Sequence, residues 1–88
     1  MRLYFDANSA TEDGRYWLGV AGTVRDLKAL GIELRAGMAV TLYMDDPDED
    51  GQPALLLVDA IVEEYGQGFV ARADRSTWRR ERPQGSAV

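Results

Sequence analysis

The chain has 88 residues, a net charge of −5, no cysteine and no histidine. That length makes one small domain, and such a chain buries roughly 60–65% of its unfolded surface, so its stability margin is thin. Without cysteine there is no disulfide or thiolate metal site; without histidine the usual general base, the commonest metal ligand and the Ser-His pairing are gone.

Arg2–Ala7 alternates, with Leu3, Phe5 and Ala7 opposing Arg2, Tyr4 and Asp6, the pattern of a half-buried strand. Asn8–Gly14 is small and polar and ends in Asp13-Gly14, a tight-turn signal. Arg15–Ala21 alternates again, so these two segments are expected to form a first hairpin. Thr23 and Asp26 resemble a capping box with Asp in place of Glu. Leu27 and Leu30 recur at helical spacing and Gly31 stands where a C′ glycine ends a helix. A short helix over 24–30 follows, too short to persist without packing on a sheet.

Ile32–Arg35 is a brief extended piece, followed by a turn at Ala36-Gly37. Val40, Leu42 and Met44 alternate with Ala39, Thr41 and Tyr43 in a third strand. Residues 45–51 read Asp-Asp-Pro-Asp-Glu-Asp-Gly, and Pro47, Gly51 and Pro53 keep this stretch out of a strand ladder. Ala54–Tyr65 is a long apolar strand with Leu56, Val58, Ala60 and Val62 on one face and Leu55, Leu57, Asp59, Ile61 and Glu63 on the other. It exceeds the usual five or six residues, so it is expected to bend and serve two sheets or a barrel corner. Leu55, Leu57 and Ile61 then need cover, from the helix or a second subunit. Phe69–Ala73 returns as a strand, Asp74–Thr77 reads as a turn, Trp78–Glu81 as an edge strand, and 83–88 as a tail after a single domain over 1–82. The predicted class is mainly β: a small SH3-like barrel, or a bent antiparallel sheet of five to six strands, with one short helix.

Three constellations are candidate sites. Asp46, Asp48 and Asp50 sit at alternate positions before Gly51, as a calcium loop begins. Counting from Asp46, however, Leu57 stands at the twelfth position, where an EF-hand places its bidentate Glu. A solvated hairpin tip is the leading expectation and weak calcium binding at 45–51 the minority one. Second, Arg72, Arg75, Arg79, Arg80 and Arg82 flank Trp78, and basic residues interleaved with an aromatic can grip single-stranded nucleic acid. The net negative charge argues against that, and the favoured reading has Trp78 covering the core while the arginines pair with acids. The acidic and basic segments also suggest two copies attracting pole to pole. Third, Tyr4, Tyr16 and Trp17 are expected to form either an aromatic patch or sheet cover.

The one lysine, Lys28, falls in the short helix, and adjacent carboxylates such as Glu63-Glu64 point to opposite faces of a strand. Catalysis is therefore not expected, nor is any cofactor. No apolar run approaches the roughly 20 residues of a bilayer span, and Met1–Asp6 turns acidic too early for a signal peptide. A soluble, cytoplasmic, bacterial-type protein is expected.

The stretch Leu27–Tyr43, with its short apolar segment, glycine turn and Val40-Thr41-Leu42 strand, resembles a feature of small bacterial β-barrels, PilZ domains and SH3-like barrels among them. PilZ domains bind a cyclic dinucleotide through an N-terminal arginine motif and a D/N-x-S-x-x-G segment, and neither is present here. The resemblance implies a fold and no ligand. The expected function is thus a non-enzymatic small β-barrel that binds a protein partner or self-associates.

Overall fold

The alternating segments assemble into a single six-stranded sheet in the computed structural model, which describes residues 1–82. The elements are β1 (Arg2–Tyr4), β2 (Tyr16–Trp17), α1 (Ala21–Leu30), β3 (Ala39–Asp45), β4 (Leu55–Tyr65), β5 (Gly68–Ala73), a 3-10 turn (Arg75–Thr77) and β6 (Arg79–Glu81). The strand order is β1-β3-β4-β5-β2, and β6 also pairs with β4. The fold is mainly β with one helix, as the alternation implies. The tail expected over 83–88 lies outside the described residues.

The sheet does not close into a barrel, because no ladder joins β1 to β2 at its two ends. Side chains fill the gap instead. Phe5, just after β1, is fully buried and meets Tyr16 of β2 edge to face at 4.9 Å and Trp78 at 6.1 Å. The core gathers Leu3, Phe5, Leu42, Val58 and Val62 around this junction.

The expected first hairpin does not form. β1 runs parallel to β3, with Leu3 beside Leu42, and β2 pairs antiparallel with β5. Leu3 thereby lies in a row with Leu42 and Val58 on three strands, whereas an isolated two-stranded ribbon would leave it half covered. The turn itself is real: Gly14 has φ 84° and its N–H donates to Thr11 O at 3.0 Å. What it returns to β2 is Ala10, bridged to Tyr16.

β4 does not switch sheets. One edge pairs with β3 along 55–61, while the other takes β6 at 55–57 and β5 at 60–65, end to end. The join falls at Asp59, whose carbonyl accepts Asp74 N–H and whose N–H donates to Thr77 Oγ1, each at 2.8 Å. The long strand is used up by two partners on one edge.

α1 begins at Ala21, three residues before the predicted start, and Val20 at its N-cap makes no side-chain bond. Thr23 and Asp26 are not a capping box. Thr23 is fully buried and its Oγ1 donates to Tyr4 O at 2.5 Å. Asp26 accepts the Tyr4 N–H at 2.9 Å and the Tyr43 hydroxyl at 2.6 Å. Both side chains satisfy the free edge of β1, a stronger demand than the helix terminus, which water can reach. The C-terminus ends as predicted: Gly31 has φ 66°, its N–H donates to Lys28 O at 3.2 Å, and Ile32 N–H reaches Leu27 O at 3.0 Å, a Schellman end.

Gly22 gives a first test of this docking. Alanine in a helix is ordinarily better than glycine by about 1 kcal/mol. Here a Cβ would lie 2.3 Å from Tyr4 Cδ1, on a ring packed edge to face against Tyr43 at 5.9 Å. The overlap wins, and Gly22→Ala is expected to destabilise by about 1–3 kcal/mol in urea unfolding. A stabilised variant would show that α1 does not press on Tyr4.

Candidate functional site

The arginine segment lies along β5, the 3-10 turn and β6, where its side chains meet acids from β4 and from the loop that follows β3. Arg72 pairs with Glu63 at 2.9 Å, Arg79 with Asp59 at 3.1 Å, Arg82 with Asp48 at 3.0 Å, and Arg80 with Asp46. Arg75 lies against Gly14. Trp78 is half-buried against the core beside Phe5. The arrangement turns the local positive charge inward on the chain's own acids, and it turns the one aromatic of the segment away from stacking. Each pair is solvent-exposed on the arginine side and contributes about 0–1 kcal/mol, so together they shape the charge of this surface more than its stability.

Glu63 sits between two cations, Arg72 and Arg15, the latter at 3.0 Å. Partial burial pushes its carboxyl up, but the bonds to Arg15 and Arg72 outweigh this and hold it below its ordinary value.

The acidic loop is the tip of the β3–β4 hairpin. Asp48 organises it: its Oδ1 accepts the N–H groups of Asp50 at 3.0 Å and Gln52 at 2.9 Å. Its other oxygen faces Arg82 while Asp46 faces Arg80, so two of the three carboxylates of the calcium reading are already matched with cations. Among the described residues, no group of three or more Asp, Glu, His or Cys side chains converges on a possible metal position. The same pairs join the acidic and basic segments within one chain, which leaves less charge for attraction between copies.

The three aromatics of the expected patch are not brought together. Tyr16 packs on Phe5 in the core and Tyr4 on Tyr43. Trp17 stands against Tyr65 at 5.2 Å, and Arg15 lies 4.8 Å over the Tyr65 ring. Trp17 and Arg15 thus reach across β5 to cover the C-terminal end of β4.

The outer face of the sheet holds what the pattern of β4 anticipated. Leu57 is only 1% exposed, whereas Ile61 on the same face is 44% exposed. Ile61 is opposite Ala39 on β3 and Arg72 on β5, and Asp59 is opposite Thr41. The small Ala39 leaves a depression of about 380 Å3, floored by Ile61 and Ala39, edged by Met1, and rimmed by Asp59 and Arg72. The sequence shows that Ile61 faces outward. It does not show that Ala39 lies opposite, which follows only from the β3–β4 register. α1 packs on β1 and leaves this surface open.

Among the described residues, no helix is long and apolar enough to cross a membrane. No family model matches the chain, and comparisons with curated proteins and with solved structures find no match.

Proposed function

We propose that this protein is a non-enzymatic binding module that takes a protein partner on the outer face of its sheet, with the Ile61 depression as the anchor point. The observation that carries this reading is a large β-branched side chain left 44% exposed at the centre of a central strand, in a concavity with a charged rim. Protein interfaces combine these parts: an apolar centre that is dehydrated on contact and a polar rim that sets orientation. The depression accommodates one apolar side chain of a partner, and the Asp59–Arg79 and Arg72–Glu63 pairs beside it form its polar rim. The arginine segment supports nucleic-acid binding less well, since its charges are matched by Asp46, Asp48, Asp59 and Glu63.

The test uses the intact tagged chain as bait in its native extract, beside an Ile61→Asp variant of equal thermal stability. A stoichiometric partner bound by the parent is expected to bind the variant roughly 30-fold more weakly, the loss of one anchor contact of about 2 kcal/mol. A partner held equally well by both proteins would end the proposal.

A further inference from the structure

We propose that α1 is a displaceable guard over the free edge of β1, and that its release lets two copies of this chain join their sheets by antiparallel β1–β1 pairing centred on Tyr4. This surface is separate from the Ile61 depression and does not depend on it.

The argument begins with where the backbone of β1 points. Met1 O accepts from Thr41 and Phe5 N–H donates to Tyr43 O, so the odd-numbered residues serve the β3 ladder. The N–H and C=O of Tyr4 therefore face away from the sheet. In an antiparallel ladder, two residues directly opposite each other exchange both of these groups. Asp26 and Thr23 of α1 occupy that very donor and acceptor. The helix thus mimics a neighbouring strand with one carboxylate and one hydroxyl.

The sequence around Tyr4 is self-complementary in that register. With Tyr4 opposite Tyr4 of the second copy, Leu3 lies opposite Phe5 and Arg2 opposite Asp6. Arg2, Tyr4 and Asp6 share one face of the alternating segment, so each copy sets a cation against an anion on that face, twice by symmetry. Arg2 now holds Glu81 through two bonds of 2.7 and 2.8 Å with both side chains about half exposed, a pair that contributes little. Half-buried Asp6, in contrast, opens a turn in which its carboxylate accepts the Asn8 N–H and its carbonyl the Ser9 N–H, each at 2.9 Å. Pairing at positions 2 and 6 releases these contacts.

The guard is also weakly held. α1 has 10 residues, Thr23 alone among them is fully buried, and Val24 and Leu30 are 41% and 51% exposed. An isolated helix of this length is marginal in water. A segment with few buried side chains opens at less than the cost of global unfolding. What must be released here is the Thr23 and Asp26 contacts to Tyr4 and the packing of Leu27 on the core. The other end of the sheet is guarded differently: Trp17 N–H donates to Ser9 O and Ala10 bridges Tyr16, so covalently adjacent backbone covers β2.

The chain has no cysteine, which permits a clean trap. Single variants R2C and D6C are prepared and mixed in equal amounts under mild oxidation. Pairing about Tyr4 brings position 2 of one copy opposite position 6 of the other, with Cβ atoms about 4.5–5.5 Å apart, while like positions stay roughly 13 Å apart. The mixture is expected to form disulfide dimer roughly tenfold faster than either variant alone, through the raised effective concentration of the paired register. Thr23→Val with Asp26→Asn, added to both chains, is expected to raise that rate further and to speed amide exchange across 20–31 ahead of β3 and β4. A mixture that links no faster than its components overturns the pairing. Faster exchange in α1 with no faster linking overturns the guard as the controlling element. Should the doubly substituted chain not fold, the mixture of R2C and D6C alone still decides the pairing.

Discussion

Replacing Phe5 with alanine is expected to remove about 3–5 kcal/mol of stability, the usual loss for a buried phenylalanine. Phe5 is fully buried where the two ends of the open sheet face each other, with Tyr16 on one side and Trp78 on the other. A closed barrel would share this junction with a hydrogen-bonded ladder. Here no ladder bridges it, so the Phe5 ring and its contacts with Tyr16 and Trp78 supply much of what joins the two ends. A domain of this length has a total stability of about 4–13 kcal/mol. The loss is therefore a large part of the whole, and the melting midpoint is expected to fall by roughly 15–30 °C. Phe5→Leu keeps most of the volume and should cost less than about 1.5 kcal/mol, though it forfeits the edge-to-face contacts. Differential scanning calorimetry of both variants checks this. Equal midpoints for Phe5→Ala and the parent would mean that the gap is closed by something other than this ring.

Neutralising Asp26 is the second large effect. Its carboxylate accepts from Tyr4 N–H, Tyr43 hydroxyl and Arg25. Removing it in Asp26→Ala is expected to cost about 2–4 kcal/mol, because charged hydrogen bonds are lost and the Tyr4 N–H is left without its partner. Burial pushes this carboxyl up, but the Tyr43 hydroxyl, the Tyr4 N–H and Arg25 together outweigh burial and hold it below its ordinary value. A carboxyl lowered in the native state contributes stability that is fully present above its unfolded value, about 4, and is lost as pH falls through its native value. Asp13, held at about 2, and Glu63, Asp74 and Glu81 are lowered as well and weaken the fold in the same direction. The readout is therefore the stability difference between parent and Asp26→Asn in urea, followed from pH 7 downward. That difference should stay constant to about pH 4 and shrink below it. A difference that does not change with pH would show that the charge on Asp26 does no work at the β1 edge.

The sequence carries the elements better than their partners. Alternation marks β3, β4 and β5 to within a residue or two because each buries one face, and period two is what burial of one face imposes. It gives no partner. The expected pairing of Arg2–Ala7 with Arg15–Ala21 follows from proximity in the chain, yet β1 finds its neighbour at Thr41–Tyr43, across the intervening helix. The spacing of Thr23 and Asp26 is that of a helix start, but the same spacing puts both residues on one helical side, where β1 claims them. Gly31 is read correctly because its requirement is local: a left-handed residue must stand where the helix ends. The same division holds for the site. Charge segregation between the acidic loop and the arginine segment is visible in the sequence, and so is the outward-facing Ile61. The matching of Arg80 with Asp46 and of Arg82 with Asp48, and the depression at Ala39, depend on the β4 registers with β6 and β3.

β5 and β6 lie end to end on one edge of β4, and the chain between them, from Asp74 to Trp78, has a consequence for how this protein can change length. Sidedness in a strand is a matter of parity. With the present spacing Trp78 and Arg80 fall on one side of β6 and Arg79 and Glu81 on the other, with Trp78 against the core. Loss or gain of a single residue in this short turn would exchange the two sets, turning the indole away from Phe5 and Arg80 away from Asp46. A change of two would keep them in place. The turn held by Asp74 and Thr77 therefore acts as a counter, and only even steps preserve its reading.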